Sequence, residues 1–424
     1  MDVLKARIVR DTLVVPVIAD PQAAAREALL PVLRGRIAPG ARVAITAGSR
    51  GVANIPALLR GLVSAVRDCG GKPFLLAAMG SHGGGTAMGQ RAMLATLGIT
   101  EDSVGAPIVS DMDVAAVGTT ASGVPVSCDK NGLAADAIVV AGRVKPHTDF
   151  NGTIESGILK MSAIGLGKAA GARDYHAAFA QLGYERIIRE VCAVLFAKTP
   201  IVAGVAFVED HRGNTCAVEA FPTAGIVAGE ERLLIEARKR MAVLPFDELD
   251  LLVVDEMGKN LSGTGMDTNV TARAVDGRTQ KVPSPRVRQL FVRDLSEESH
   301  GNATGIGLAD FCLQRLADRI DWHPTYLNAL TAAQPAAARL PVVCASDREA
   351  IGHALAAAGV AHVAGARIVR IPNTLHFESM VVTDAALRTM RDPARYRAGD
   401  PTNGLCFDAG GGLLPVPGRA LAEV

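Results

Sequence analysis

Residues 145–176, KPHTDFNGTIESGILKMSAIGLGKAAGARDYH, bring two histidines (His147, His176), three lysines and several glycines into one short stretch. Imidazole exchanges a proton near neutral pH without much tuning, and it is also a common metal ligand. Glycines at 152, 157, 165, 167 and 171 let backbone approach a bulky ligand, and amides exposed in such loops can hold a phosphate. A second loop, AMGSHGGG, sets His82 ahead of three glycines, and a third, AGSRG, carries Ser49 and Arg50. Taken singly, each residue has an ordinary explanation. A loop histidine often only packs, Lys160 reads as a surface lysine, and His176 in ARDYHAAFAQLG reads as a solvated helix residue. Three neutral imidazoles, His82, His147 and His176, would also suit zinc.

The elements around these residues explain why they would meet. From Ala41 the chain alternates short apolar runs with amphipathic stretches: RVAITAG, IPALLRGLVSAVRDCGG, KPFLLAAM, TAMGQRAMLATLG. This βαβα rhythm, with Gly70-Gly71 marking a helix stop, predicts a parallel sheet. Ligands of such sheets collect at the carboxyl ends of the strands. The loops after AITAG, FLLAAMG and DAIVVAG therefore matter most, and they hold Arg50, His82 and His147. The second half repeats the rhythm from LDLLVVDEMG through RQLFVRDL, LPVVCA and ARIVRIPN. The expected architecture is α/β, with two α/β domains of mainly parallel sheets facing each other across a cleft. Residues 1–245 form the N-terminal domain with the histidines, 246–391 the C-terminal domain that closes the cleft, and 392–424 a tail. The charged runs GEERLLIEARKR and SDREA read as solvated helix faces.

Composition narrows the function. A chain of 424 residues with only 4% aromatic residues and a net charge of +1 lacks the stacking surface and basic footprint of a nucleic-acid or anionic-membrane binder. The seven cysteines are scattered singly, with no C-x-x-C pair, and read as reduced core residues. No run of about 18 apolar residues and no apolar leader is present, so a cytoplasmic protein with a small-molecule ligand is expected.

In order and spacing, His82 in G-S-H, His147 in P-H, and Lys160 followed sixteen residues later by His176 resemble the nickel-dependent lactate racemases and their relatives. Arg50 resembles the family's early arginine that contacts substrate, and VVDEMGKNLSGTGMD looks like the opening of its second domain. The resemblance implies a nickel-pincer nucleotide, a pyridinium mononucleotide whose sulfur groups grip nickel, held covalently at Lys160 through a thioamide. It further implies His176 as the nickel ligand, and His82 and His147 as the paired acid/base groups of a 2-hydroxy acid racemase or epimerase. Each enantiomer presents its hydroxyl on a different side, which is why two bases are needed. Arg50 would bind the substrate carboxylate as a bidentate fork, with Lys259 or Arg273 as a second cation and His300 as a further substrate contact. Maturation enzymes would be partners, and an oligomer is compatible.

The chain also departs from the family pattern. Racemases of lactate carry an aspartate three residues before the early arginine, where this chain has Ala47. The stretch before Lys160 is longer and includes Asp149 and Glu155. His300, Asn302, Asn373 and His376 would suit a larger or more polar acid than lactate. The competing readings are another metal- or nucleotide-dependent oxidoreductase on the same scaffold, and a non-catalytic protein that binds the cofactor or a hydroxy acid.

Overall fold

Apolar runs form the strands and the amphipathic stretches between them form helices that cover the sheets, as the alternation predicts. The computed structural model describes residues 4–49, 51–277 and 279–416. Contacts divide the chain into a unit of Val15–Met241 and a second of Met1–Val14 with Ala242–Val424. In chain order, the strands begin with β1 (Ala6–Asp11), β2 (Arg42–Ala47), β3 (Lys72–Ala77), β4 (Ile108–Val109), β5 (Val114–Thr119) and β6 (Pro125–Asp129). They continue with β7 (Ala137–Arg143), β8 (Ile201–Glu209) and β9 (Thr215–Pro222).

The unit Val15–Met241 is built on a sheet of order β4-β3-β2-β7-β8-β9 in which only β9 runs antiparallel, with β5 and β6 as a separate hairpin. Alternate residues of the central strands face opposite layers. Val43, Ile45, Leu75 and Val139 pack with the helices Pro21–Leu33 and Ile55–Asp68, whereas Ala44, Leu76, Ile138 and Val140 pack with Tyr184–Lys198 and Ile226–Arg240. Burial on both faces is why these strands read as near-continuous apolar runs. Gly70, at φ +79°, reverses the chain after Ile55–Asp68, where the sequence places the stop. From β2 the chain moves outward to β3 and β4, then returns to set β7 on the other side of β2. The crevice between β2 and β7 is therefore a topological switch point.

The second unit adds β10 (Glu248–Val254), β11 (Arg286–Val292), β12 (Phe311–Leu313), β13 (Val342–Cys344), β14 (Ile368–Ile371), β15 (Ser379–Thr383) and β16 (Tyr396–Thr402). Its sheet has the order β13-β12-β11-β10-β14-β15-β1-β16, parallel from β13 to β14 and antiparallel beyond. Three expectations differ from this arrangement. Strand β1, placed by sequence in the N-terminal domain, lies between β15 and β16 of the second unit, because strand pairing is non-local and its partners are some 380 positions away. The tail from residue 392 contributes β16, and Leu405, Leu413 and Val416 join the core around Leu251 and Val381. The division falls between Met241 and Ala242 rather than after 245. No helix among the described residues is long and apolar enough to cross a membrane.

Candidate active site at the carboxyl edge of the six-stranded sheet

Strands β2, β3, β7 and β8 run parallel, so their carboxyl ends share one edge. Ser49 follows β2, His82 follows β3 and His147 follows β7. Since β3 and β7 flank β2, the two histidine loops leave the sheet two strand spacings apart, about 10 Å. Arg50 lies outside the described residues.

The His82 loop is shaped by its glycines. Gly83 has φ +66°, and a Cβ there would lie 2.6 Å from backbone atoms of Gly89 and Gln90, so the turn closes onto the next helix only without a side chain. Gln90, fully buried, donates to the Gly80 carbonyl at 2.9 Å and ties the loop to the helix Ala87–Thr96. His82 Nδ1 meets the Ser49 hydroxyl in a short hydrogen bond, which fixes one ring nitrogen.

The His147 loop is closed by a bridge between Lys145 and Ser156 and organised around Glu155, which is 2% exposed. Glu155 accepts from the amides of His147 and Gly152 and pairs with Arg238 at 2.6 Å. Its carboxylate is therefore the loop's internal anchor. The Asp149 amide donates to His147 Nδ1 at 3.0 Å, and His147 Nε2 stands 2.5 Å from Lys160 Nζ.

Lys160 ends the short helix Ile158–Lys160, which continues through a π-helical turn, Met161–Gly165, into Leu166–Leu182, the helix of His176. That last helix is broken at Lys168, which has φ +54° and is fully buried. Lys168 Nζ lies 2.9 Å from the equally buried Asp129 carboxylate and donates to the Ala77 carbonyl at the end of β3. The break thus ties the segment between Lys160 and His176 to the strand that delivers His82. His176 Nδ1 donates to the Ala172 carbonyl at 2.7 Å, so the lone pair of the neutral ring is on Nε2. Burial holds the ring's pKa below the ordinary histidine value, and the nearby Lys160 charge adds to this.

Aromatic rings link the two histidines. His147 stacks on Phe150 at 3.9 Å, Phe150 stacks on Tyr184, Phe179 tilts against Tyr184 at 4.7 Å, and His176 meets Phe179 edge-on at 5.2 Å. In a chain with so few aromatics, this concentration holds both imidazole planes in place. Spacing alone pointed to the histidines and not to these rings.

In the second unit, Lys259 and His300 occupy neighbouring loops, since the Lys259 amide donates to Ser299 Oγ at 2.8 Å. Lys259 Nζ donates to the Gly263 carbonyl at 2.6 Å. Arg273 is buried, with its guanidinium on the carbonyls of Leu308, Val287 and Arg288 and on Asp310 at 2.7 Å. This is the environment of a structural anchor for the start of β11.

The sequence reading of GEERLLIEARKR as a solvated face is corrected by Glu230, which is fully buried beneath the Lys160 turn. The signal was present: Glu230 shares a helical stripe with Ile226, Leu233, Leu234 and Ala237. SDREA is corrected likewise, because Asp347 is 1% exposed and receives the Arg293 guanidinium. His211, in the turn after β8 on the same edge, is buried with both ring nitrogens lacking a hydrogen-bond partner. Among the described residues, no three His, Cys, Asp or Glu side chains converge as a cage for a metal ion, so His82, His147 and His176 are not assembled as a zinc site.

The architecture is that of a two-unit α/β protein whose titratable residues gather at a switch-point crevice. A solved structure with this fold is the lactate racemase apoprotein from Thermoanaerobacterium thermosaccharolyticum, with a TM-score of 0.51 and 14% sequence identity over 86% of this chain and 94% of that one. No family model matches the chain, and no curated protein matches it by sequence.

Proposed function

We propose that the chain is a racemase or epimerase of a 2-hydroxy acid that uses a nickel-pincer nucleotide held at Lys160. The observation that carries this reading is the 2.5 Å contact between Lys160 Nζ and His147 Nε2. The Asp149 amide engages His147 Nδ1, so the ring meets the Lys160 amine through Nε2. A lysine amine must shed a proton to act as the nucleophile of a covalent tether, and the contact seats this one directly against an imidazole. His176 offers a single neutral nitrogen, which fits a metal that arrives with most of its ligands supplied by the cofactor.

When bound, the group supplies a hydride acceptor at its metal-carbon centre. The residues of the chain handle everything else. With its amine engaged as the tether, Lys160 would give up its contact with His147 Nε2, and that imidazole would exchange a proton with the substrate hydroxyl. His82, on the loop across β2 and oriented by Ser49, does the same from the other side. Arg50 is proposed to bind the substrate carboxylate, with Lys259 and His300 as further contacts; Arg273, whose guanidinium is committed to backbone carbonyls and Asp310, is an anchor instead. Ala47, at the end of β2, has no polar group to offer where racemases of lactate carry an aspartate, and a substrate other than lactate is proposed on that ground.

The test is the intact mass and stereochemical activity of protein made together with the cofactor-maturation enzymes. A covalent increment at Lys160 is expected, abolished by Lys160→Ala. His82→Ala and His147→Ala should retain the increment and lose α-hydrogen exchange on hydroxy acids. An unmodified Lys160 in this preparation would contradict the tether, and unaffected exchange in both histidine variants would contradict the two-base scheme.

A further inference from the structure

We infer that Glu230 is a positioning residue for Lys160: its buried carboxylate caps the turn that carries the lysine and holds the amine in its seat against His147. The inference rests on the reading of Lys160 as the tether.

The first amides of a helix need acceptors, and the helix Ile158–Lys160 starts at Gly157, which has no side chain to provide one. Glu230, reaching from the helix Ile226–Arg240, fills that role. Its Oε2 accepts the Leu159 amide at 2.8 Å, and the Ile158 amide also favours the ionised carboxylate. The side chain is fully buried, and Oε1 makes no hydrogen bond of its own. Arg189, the nearby cation, is paired with Glu185 and Glu231 instead. A buried carboxylate without a counter-ion costs stability, so its retention here points to a task an apolar side chain could not perform.

Gly157 gives independent support. Its φ of 175° is extended backbone open to any residue, so the absence of a side chain is not a matter of backbone conformation. A Cβ at this position would lie 2.3 Å from Glu230 Cδ and 2.5 Å from each carboxylate oxygen. The glycine makes room for the carboxylate, and the carboxylate caps the turn that the glycine leaves uncapped.

The experiment is competitive labelling of the full chain, free of cofactor, with acetic anhydride. Peptide mass mapping then gives the titration midpoint and relative reactivity of Lys160 against surface Lys72. In Glu230→Gln the Lys160 midpoint is expected to move by roughly half a unit or more, in the same direction as in His147→Ala, with a change of about threefold in relative reactivity. Gly157→Ala should reproduce that shift by displacing the carboxylate. Added to Glu230→Ala it should produce no further change. A wild-type midpoint and reactivity in folded Glu230→Gln and Gly157→Ala would overturn the inference, as would additive shifts in the double variant. If Glu230→Gln does not fold, Gly157→Ala decides alone. Because the labelling needs no cofactor, a missing adduct in loaded wild-type protein would count against the proposed function and not against Glu230.

Discussion

His176 and Glu230 show what burial does to a titratable group. His176 donates its Nδ1 proton to the Ala172 carbonyl in a hydrogen bond, and desolvation favours its neutral form, in which Nε2 carries the lone pair. His176→Ala is expected to lower the nickel content of co-matured protein by at least about tenfold, read by elemental analysis. Burial pushes the Glu230 carboxyl up to about 7 from an ordinary value of 4.5. A carboxyl raised on folding stabilises the protein fully below the unfolded value, and that contribution is lost as pH rises through about 7. Between pH 4.5 and pH 8, wild type should therefore lose on the order of 3 kcal/mol more stability than Glu230→Gln. Urea unfolding at the two pH values checks this, and parallel losses would contradict it. Of the proposed site residues, His82, His147, Lys160 and His176 could be proposed from the sequence because their order and spacing are local features of it. Glu230 was not, because its charge outweighed its place on an apolar stripe.

At the scale of elements, loops and breaks aim the side chains. The Gly83 turn admits no Cβ, whereas Gly84, also at positive φ, has open space around it. Gly84→Ala should cost about 1 kcal/mol, the backbone term alone. Gly83→Ala should cost clearly more, about 2 kcal/mol or above, and shift the His82 resonances. Equal melting temperatures for the two would contradict the close approach. The break at Lys168 belongs to the same scale. Lys168→Met leaves Asp129 buried without its cation and is expected to destabilise by about 3–5 kcal/mol, with Lys168→Met/Asp129→Asn recovering part of the loss in denaturant unfolding. The βαβα alternation and the Gly70 stop were readable from periodicity. The break was not, because it depends on Asp129 and Ala77, brought to Lys168 from β6 and β3 by the tertiary fold.

For the whole molecule, the chain's own order misleads only where pairing is long-range. Two α/β units with mainly parallel sheets followed from the repeated rhythm, but nothing local in residues 6–11 shows that β1 pairs with β15 and β16. The consequence is testable: residues 15–241 carry a complete sheet with both faces covered, and should fold alone with native-like hydrogen-exchange protection in β2, β3 and β7. Deleting residues 1–14 should instead open the sheet of the second unit between β15 and β16, with loss of protection confined to that unit. The central claim, that the carboxyl edge of the first sheet inverts a 2-hydroxy acid, is tested most directly by chiral analysis of a panel of hydroxy acids incubated with protein carrying the adduct at Lys160. The account predicts that at least one acid, more polar or larger than lactate, is converted to a mixture of configurations. An unchanged configuration across the panel, in protein whose adduct is verified by mass, would contradict it.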